Sequence, residues 1–264
     1  MEKHSTFNTQ HSSPKVEGDV RSLDVRGSML NVECFPASQN WLLLNSGQCA
    51  AAFNMALDEA LLEAMPRLQQ PVLRFYGWTE AAATFGYFQK YSEVERATLL
   101  RPLLRRPTGG GLVPHAADWT YSAVFPAGHE WHSLKAVASY RRIHDWLRLA
   151  FAALNVATEL APSCKKTMPG QCFVGHEQFD LLWQGKKIAG AAQRRNKLGL
   201  LIQGSVQPPS LALARADWET AMATVAQQDF GVVWTHGSPD AVLHECAGKL
   251  ALRKYAQAEY SMGR

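Results

Sequence analysis

Leu134, Val137, Tyr140, Ile143, Leu147, Phe151 and Leu154 recur at three- and four-residue spacing, the pattern of one long amphipathic helix that Ser133 is placed to cap. That helix stands between two stretches of β texture. Before it, residues 72–76, 83–87 and 119–125 are rich in β-branched and aromatic side chains. After it, residues 179–183, 188–194 and 200–206 read as a meander turned at Gln184-Gly185-Lys186 and at Asn196-Lys197-Leu198-Gly199. A β block, a helix and an antiparallel meander in that order predict an α+β domain, a single mixed sheet with helices packed against it. Further helices flank this middle. Phe53, Leu57, Ala60, Leu61 and Ala64 form an apolar face with Asp58, Glu59 and Glu63 expected mostly off it, and Pro66 is expected to stop that helix. Residues 217–228 predict another, and Ser238-Pro239 supplies an N-cap and first-turn proline for a last one running towards Tyr260.

Hydrophobic residues make up 47% of the 264 and charged residues 19%, which excludes a disordered, collagen-like or coiled-coil chain. No linker or internal repeat interrupts the sequence after Trp41, so residues 31–264 are expected to form one domain behind a flexible polar tail, residues 1–30. The formal charge of +4 is too small for a dedicated nucleic-acid binder. The five cysteines, Cys34, Cys49, Cys164, Cys172 and Cys246, are odd in number, scattered and never Cys-x-x-Cys, which favours reduced thiols in the cytoplasm over a disulfide framework or zinc knuckle. No membrane association is expected, since there is neither a signal-peptide core nor a run long enough to span a bilayer. His129 and His132 lack further ligands at metal spacing, and no metal site is expected.

Two clusters carry chemistry. In Arg105-Arg106-Pro107-Thr108-Gly109-Gly110-Gly111-Leu112-Val113-Pro114-His115, three glycines let the backbone approach a ligand oxygen, and the flanking arginines, hydroxyl and histidine set the run apart from a bare hairpin turn. It is neither a Walker A loop nor a dinucleotide-binding glycine fingerprint. The second cluster joins Cys172-Phe173, Asp180, Lys186-Lys187, Gly190-Ala191 and Gln203-Gly204-Ser205. A cysteine near lysines has the makings of a nucleophile, because an ammonium stabilises the thiolate, yet spacing alone does not separate that reading from a buried thiol and a solvated lysine pair.

Together the clusters resemble the catalytic domain shared by lipoate-protein ligases, octanoyl transferases and biotin ligases. The resemblance starts at Asn54-Met55-Ala56-Leu57-Asp58-Glu59, includes Leu73-Arg74-Phe75-Tyr76-Gly77-Trp78 and Gly86-Tyr87-Phe88-Gln89, and ends at Ser205. Within that group, Cys172-Phe173 followed by Asp180 and Lys187 looks like the cysteine-dependent octanoyl transferases. The resemblance implies Cys172 and Lys187 as catalytic residues, and Arg74, Arg106, Thr108, Gly109, Gly110, Gly111, His115, Gly190, Ala191, Gly204 and Ser205 as substrate-binding ones, with His115 binding ligand or ordering the loop. It implies octanoyl-acyl carrier protein as donor, an acyl-S-Cys172 intermediate, and as acceptor the lysine of a lipoyl domain or a glycine-cleavage H-type protein, with no cofactor.

The alternative within the family is a lipoate-protein ligase that uses ATP and Mg²⁺ and passes through lipoyl-AMP, favoured by the triple glycine. The 59 residues after Ser205 leave little room for a ligase's accessory domain, which favours the transferase. A non-catalytic lipoyl-domain or acyl-carrier binder is the reading from another class. Acidic partners would meet a rim expected from Arg105, Arg106, Lys186, Arg194, Arg195 and Lys197.

Overall fold

A computed structural model of the chain describes residues 39–165 and 175–263. The first half runs β1 (Gln39–Cys49), α1 (Ala51–Leu68), β2 (Val72–Trp78), β3 (Ala82–Phe85), α2 (Tyr91–Val94), β4 (Leu103–Arg105), β5 (Val113–His115), β6 (Trp119–Pro126), α3 (Glu130–Ser133) and α4 (Ala136–Ala153). There follow β7 (Glu159–Leu160), β8 (Leu181–Trp183), β9 (Lys186–Asn196), β10 (Gly199–Val206), α5 (Arg215–Phe230), β11 (Val232–Gly237), α6 (Ala241–Leu250), a π-helical turn (Ala251–Tyr255) and α7 (Ala258–Met262).

The expected mixed sheet has eight strands in the order β11-β1-β2-β6-β10-β9-β8-β7, and a second, three-stranded sheet, β4-β3-β5, carries the glycine run between β4 and β5. β1 is parallel to both its neighbours, while β2, β6, β10, β9, β8 and β7 pair antiparallel. Strand alternation sorts the side chains to two faces. Leu44, Val72, Val124 and Leu201 meet Leu57 and Leu61 of α1, each buried leucine contributing about 1.5–3 kcal/mol. On the other face Leu73, Phe75, Tyr121, Phe125, Leu200 and Ile202 meet Trp146, Leu147 and Phe151 of α4 and Trp218 and Met222 of α5. Gln184 and Gly185, both at positive φ, make the two-residue turn between β8 and β9 that the strand twist favours.

Several local expectations are corrected. Pro66 lies inside α1, which continues to Leu68 and ends where Gln69 takes a left-handed φ of 52° and its N–H reaches the Met65 carbonyl. Ser133 closes the short α3, and α4 starts behind Lys135 without a side-chain cap. Val137, counted in the apolar stripe of α4, is 63% exposed. The cap of α6 is Asp240, whose carboxylate accepts the Leu243 N–H at 2.7 Å, and the helix expected to reach Tyr260 breaks at the π-helical turn. Asp58 and Glu59 are buried, since α1 has the sheet on one side and α6 on another, which leaves little of the helix facing solvent. Among the described residues no helix is long and apolar enough to cross a membrane. The N-terminal tail, residues 1–30, and Cys172 lie outside the described residues.

Candidate active site

β9 and β10 place Gly190 opposite Ser205 and Ala192 opposite Gln203. Opposed residues share a face and every second residue returns to it, so these four line one stretch of sheet. The glycine loop covers that stretch. Thr108 Oγ1 donates to Gln203 Oε1 at 2.7 Å, and a Cβ on Gly110 would stand 3.5 Å from that of Ala192.

Arg106 holds the loop in shape. Its guanidinium is buried and donates to the carbonyls of Gly109 (3.0 Å from Nε), Gly111 (2.8 Å) and Thr84 (3.2 Å). Gly110 is left-handed at φ 85°, and a Cβ on Gly86 would fall 1.9 Å from the Gly110 oxygen, so both positions need glycine. In a planar trans peptide the C=O and N–H point in opposite directions, so drawing the Gly109 carbonyl onto Arg106 turns the Gly110 N–H away from it.

Lys187 reaches the same stretch of sheet because the β8–β9 pairing shifts register between Leu181 and Leu182, which puts an extra residue of β9 between Lys187 and Ala189. Its Nζ is 2.7 Å from Asp180 Oδ2, the two side chains being 6% and 0% exposed, and a Cβ on Gly190 would approach that Nζ to 2.8 Å. The missing side chain at 190 is therefore the space the amine occupies. Asp180 also accepts the Glu177 N–H at 2.7 Å and the Tyr140 hydroxyl. Behind Tyr140 on α4 is His144, whose imidazole burial pushes down to about 4.

The other sequence-selected residues fall into two groups. Ser205 stands on the covered stretch and donates to Asp118 Oδ2 at 2.7 Å, as does Thr120 at 3.0 Å. His115 has one ring nitrogen 2.8 Å from Asp118 Oδ2, the other 2.8 Å from Thr84 Oγ1, and its ring stacked on Trp78 at 3.9 Å. With both nitrogens taken by protein, His115 orders the end of β5. Arg74 and Gly204 are placed elsewhere. Arg74 is fully buried beneath α1, bonded to Asp58, Asn54 and Ser46. Gly204 faces the aromatic core, where a Cβ would strike the Tyr121 ring, and Ala191 packs on that same side. The expected basic rim also loses two members. Arg105 and Arg106 are buried, Arg105 gripping the carbonyls of Tyr87, Gln89 and Ser261, while Lys186 and Lys197 are exposed.

The sequence family described as the lipoyl protein ligase A/B catalytic domain matches residues 50–207, more than half of the chain. The chain belongs to that family. It is 34% identical to octanoyltransferase LipM of Lysinibacillus sphaericus over 179 residues, 63% of this chain and 65% of that one. Against octanoyltransferase LipM of Bacillus subtilis the identity is 34% over 183 residues, 64% of this chain and 65% of the relative. Each match takes in slightly less than two thirds of the relative's length. Among solved structures, lipoate-protein ligase A bound with ATP aligns with a TM-score of 0.70 at 19% identity, covering 86% of this chain and 99% of that one. The bi-partite lipoate protein ligase of Thermoplasma acidophilum gives 0.65 at 18%, covering 86% and 96%. At those identities the likeness is one of fold.

The matched span of this lipoyl protein ligase family member, α1 to β10, also holds two residues near the site that the sequence did not single out, Asp118 and Tyr140. Nothing local marks Tyr140, whose partner Asp180 lies forty residues on. Among the described residues no three His, Cys, Asp or Glu side chains gather as a metal ion would require. His129 accepts the Trp131 N–H at the start of α3, and His132 is 3.0 Å from the Asn196 carbonyl.

Proposed function

We propose that this chain is a cysteine-dependent acyltransferase that moves an octanoyl or lipoyl group from a thioester donor such as octanoyl-acyl carrier protein to the lysine of a lipoyl-acceptor domain. The observation that carries the reading is the buried Lys187 amine laid on Gly190, on the stretch of sheet the glycine loop covers, in a chain 34% identical to octanoyltransferases.

The chemistry follows from those parts. The Cys172 thiolate attacks the donor carbonyl, its Sγ–C bond forms, the donor C–S bond breaks, and the carrier thiolate leaves and takes a proton. The acceptor amine then attacks the acyl-S-Cys172 carbonyl, gives up a proton, and returns the thiolate. The Lys187 ammonium lowers the thiol pKa and, with the Gly110 N–H, meets the oxyanion that develops in both halves. A thioester is already activated, so the scheme needs neither ATP nor a metal. The acyl chain lies between the glycine loop and the β9–β10 face, each buried methylene contributing about 0.8 kcal/mol, so slot depth sets chain-length preference. Exposed Lys186 and Lys197 steer an acidic carrier or lipoyl domain.

Intact-mass measurement after incubation with octanoyl-acyl carrier protein is expected to show one octanoyl adduct, absent in Cys172→Ser. ATP-dependent lipoylation that survives Cys172→Ser would replace this reading with the ligase. Binding of lipoyl domains with neither activity would replace it with a carrier-binding protein.

A further inference from the structure

An amine on a flexible four-carbon stem is a poor catalytic charge unless something fixes it. Lys187, the second residue of β9, is fixed by Asp180, which belongs to a different element and needs fixing in turn. Asp180 follows Phe179, a bulky residue held in the left-handed region at φ 72° with its N–H on the Ala161 carbonyl at 2.8 Å. That turn sets where the carboxyl group begins, and its two oxygens are then divided. Oδ2 takes Lys187 Nζ and the Glu177 N–H, and Oδ1 takes the Tyr140 hydroxyl. Removing the Tyr140 bond would free the carboxylate to turn about its last torsion and carry the amine with it.

Tyr140 is itself well anchored. The His144 ring lies 4.3 Å from it at a tilt of 46°, and His144 Nδ1 donates to the Tyr140 carbonyl at 2.8 Å. The first turn of α4 is stitched to β9, since Ser139 Oγ and Gln193 Oε1 are 2.8 Å apart and Gln193 Nε2 donates to the Ala136 carbonyl at 2.8 Å. Helix and strand thus form one frame, with Tyr140 on one side of it and Lys187 on the other.

We propose that Tyr140 is a positioning residue for the transfer reaction: its hydroxyl orients Asp180, and Asp180 holds the Lys187 amine over Gly190. This rests on the octanoyl-transfer reading, but the bracket is measurable without it.

The test compares wild type with Tyr140→Phe by two readouts. Steady-state transfer from octanoyl-acyl carrier protein to a purified apo lipoyl domain is expected to lose about tenfold in kcat with KM for the donor within twofold. Brief acetylation with an amine-reactive ester, mapped by mass spectrometry, is expected to label Lys187 about tenfold faster in the variant, with exposed Lys186 as an unchanged internal reference. Equal Lys187 labelling, or unchanged kcat beside a lowered melting temperature, overturns the proposal and leaves Tyr140 a packing residue. Faster Lys187 labelling in a protein whose wild type transfers no octanoyl group keeps the bracket and removes the transferase. If Tyr140→Phe does not fold, Asp180→Asn is read by the same labelling ratio, with the same outcome required.

Discussion

Among the described residues, the Asp58–Arg74 and Asp180–Lys187 pairs are buried and of nearly equal length, and they do different things. Asp58 and Arg74 meet at 2.6 Å with both side chains fully buried. Asp58 also accepts from Ser122 (2.7 Å), Tyr76 (2.9 Å) and Gln203 (2.7 Å), while Arg74 also donates to Asn54 and Ser46. The pair thus ties α1 to β2, β6 and β10. Burial, and then the Asp58 charge, pushes the Tyr76 hydroxyl well above its ordinary value, so it stays a donor. Asp180 and Lys187 lie at the β8–β9 side of the sheet, where a turn, a helix and a strand supply the donors. An arginine fork suits a closed junction, and a lysine point charge suits a site where charge must appear and disappear. A buried ion pair therefore says little about role until its surroundings are counted.

The sharpest way to break that contrast is to delete one partner of each pair. Asp58→Ala strands the Arg74 guanidinium with no route to water, and a loss of about 3–5 kcal/mol is expected in urea unfolding. A loss below about 1 kcal/mol would show that Asn54 and Ser46 suffice and that the junction is not structural. Lys187→Ala leaves Asp180 with the Tyr140 and Glu177 donors, so only about 1–2 kcal/mol of stability is expected to go. Its octanoyl transfer is expected to fall about 100- to 1,000-fold, the scale of losing an oxyanion donor. Equal destabilisation by both substitutions would erase the distinction.

The sequence shows one of these regions far better than the other. Period-two and period-3.6 patterns mark the strands of the meander and the long helix, because each buries one face. The glycine loop is marked by its own residues, and Lys187 by its place in a recognisable order of motifs. The Asp58 junction is hidden because an acidic residue on an amphipathic helix is normally a solvent-facing one, whereas Asp58 faces the sheet, where Arg74, Tyr76, Ser122 and Gln203 bond it. β1 and β11 escaped for a related reason. They pair with each other across nearly the full length of the domain, and the side chains of β11 are mostly exposed beyond Val232, so no apolar alternation betrays the strand. Arg74 and Gly204 were placed by motif order, which does not say which face of a strand a residue occupies; one residue of register separates Gly204 from Ser205 and sends it to the other side.

His144 sharpens the comparison through pH. Its imidazole is fully buried behind Tyr140, and burial lowers it to about 4 from the ordinary 6.5. The unfolded chain therefore binds this proton more readily than the folded one between those values. Above pH 6.5 the group costs nothing; as pH falls from 6.5 towards 4 it favours unfolding, by roughly 3 kcal/mol at the end of that window. His144→Asn, which keeps a donor for the Tyr140 carbonyl, is expected to flatten the fall in melting temperature between pH 6.5 and 4.5 relative to wild type. Parallel curves would mean that the imidazole finds a proton acceptor in the folded protein.

A third buried acid tests whether closure or position decides the role. Glu59 accepts from Lys254 at 2.6 and 2.8 Å, from the Tyr255 hydroxyl at 2.7 Å and from Arg194 at 2.9 Å, tying α1 and β9 to the π-helical turn. Burial alone would raise its carboxyl, but the Lys254 and Tyr255 bonds and the two cations outweigh that and hold it below the usual range. A lowered carboxyl stabilises the fold above its unfolded value near 4.5, and that contribution is lost as pH falls through the folded one. Lys254 is a quarter exposed, and Arg194 and Tyr255 remain when it is removed. Lys254→Met is therefore expected to cost only about 1 kcal/mol, seen as a small shift in the urea midpoint that is larger at pH 7 than at pH 3.5, with octanoyl transfer within twofold of wild type. By its ties Glu59 belongs with Asp58 and not with Asp180. A tenfold loss of transfer in Lys254→Met, at unchanged stability, would move it to the other side and make the C-terminal turn part of the site.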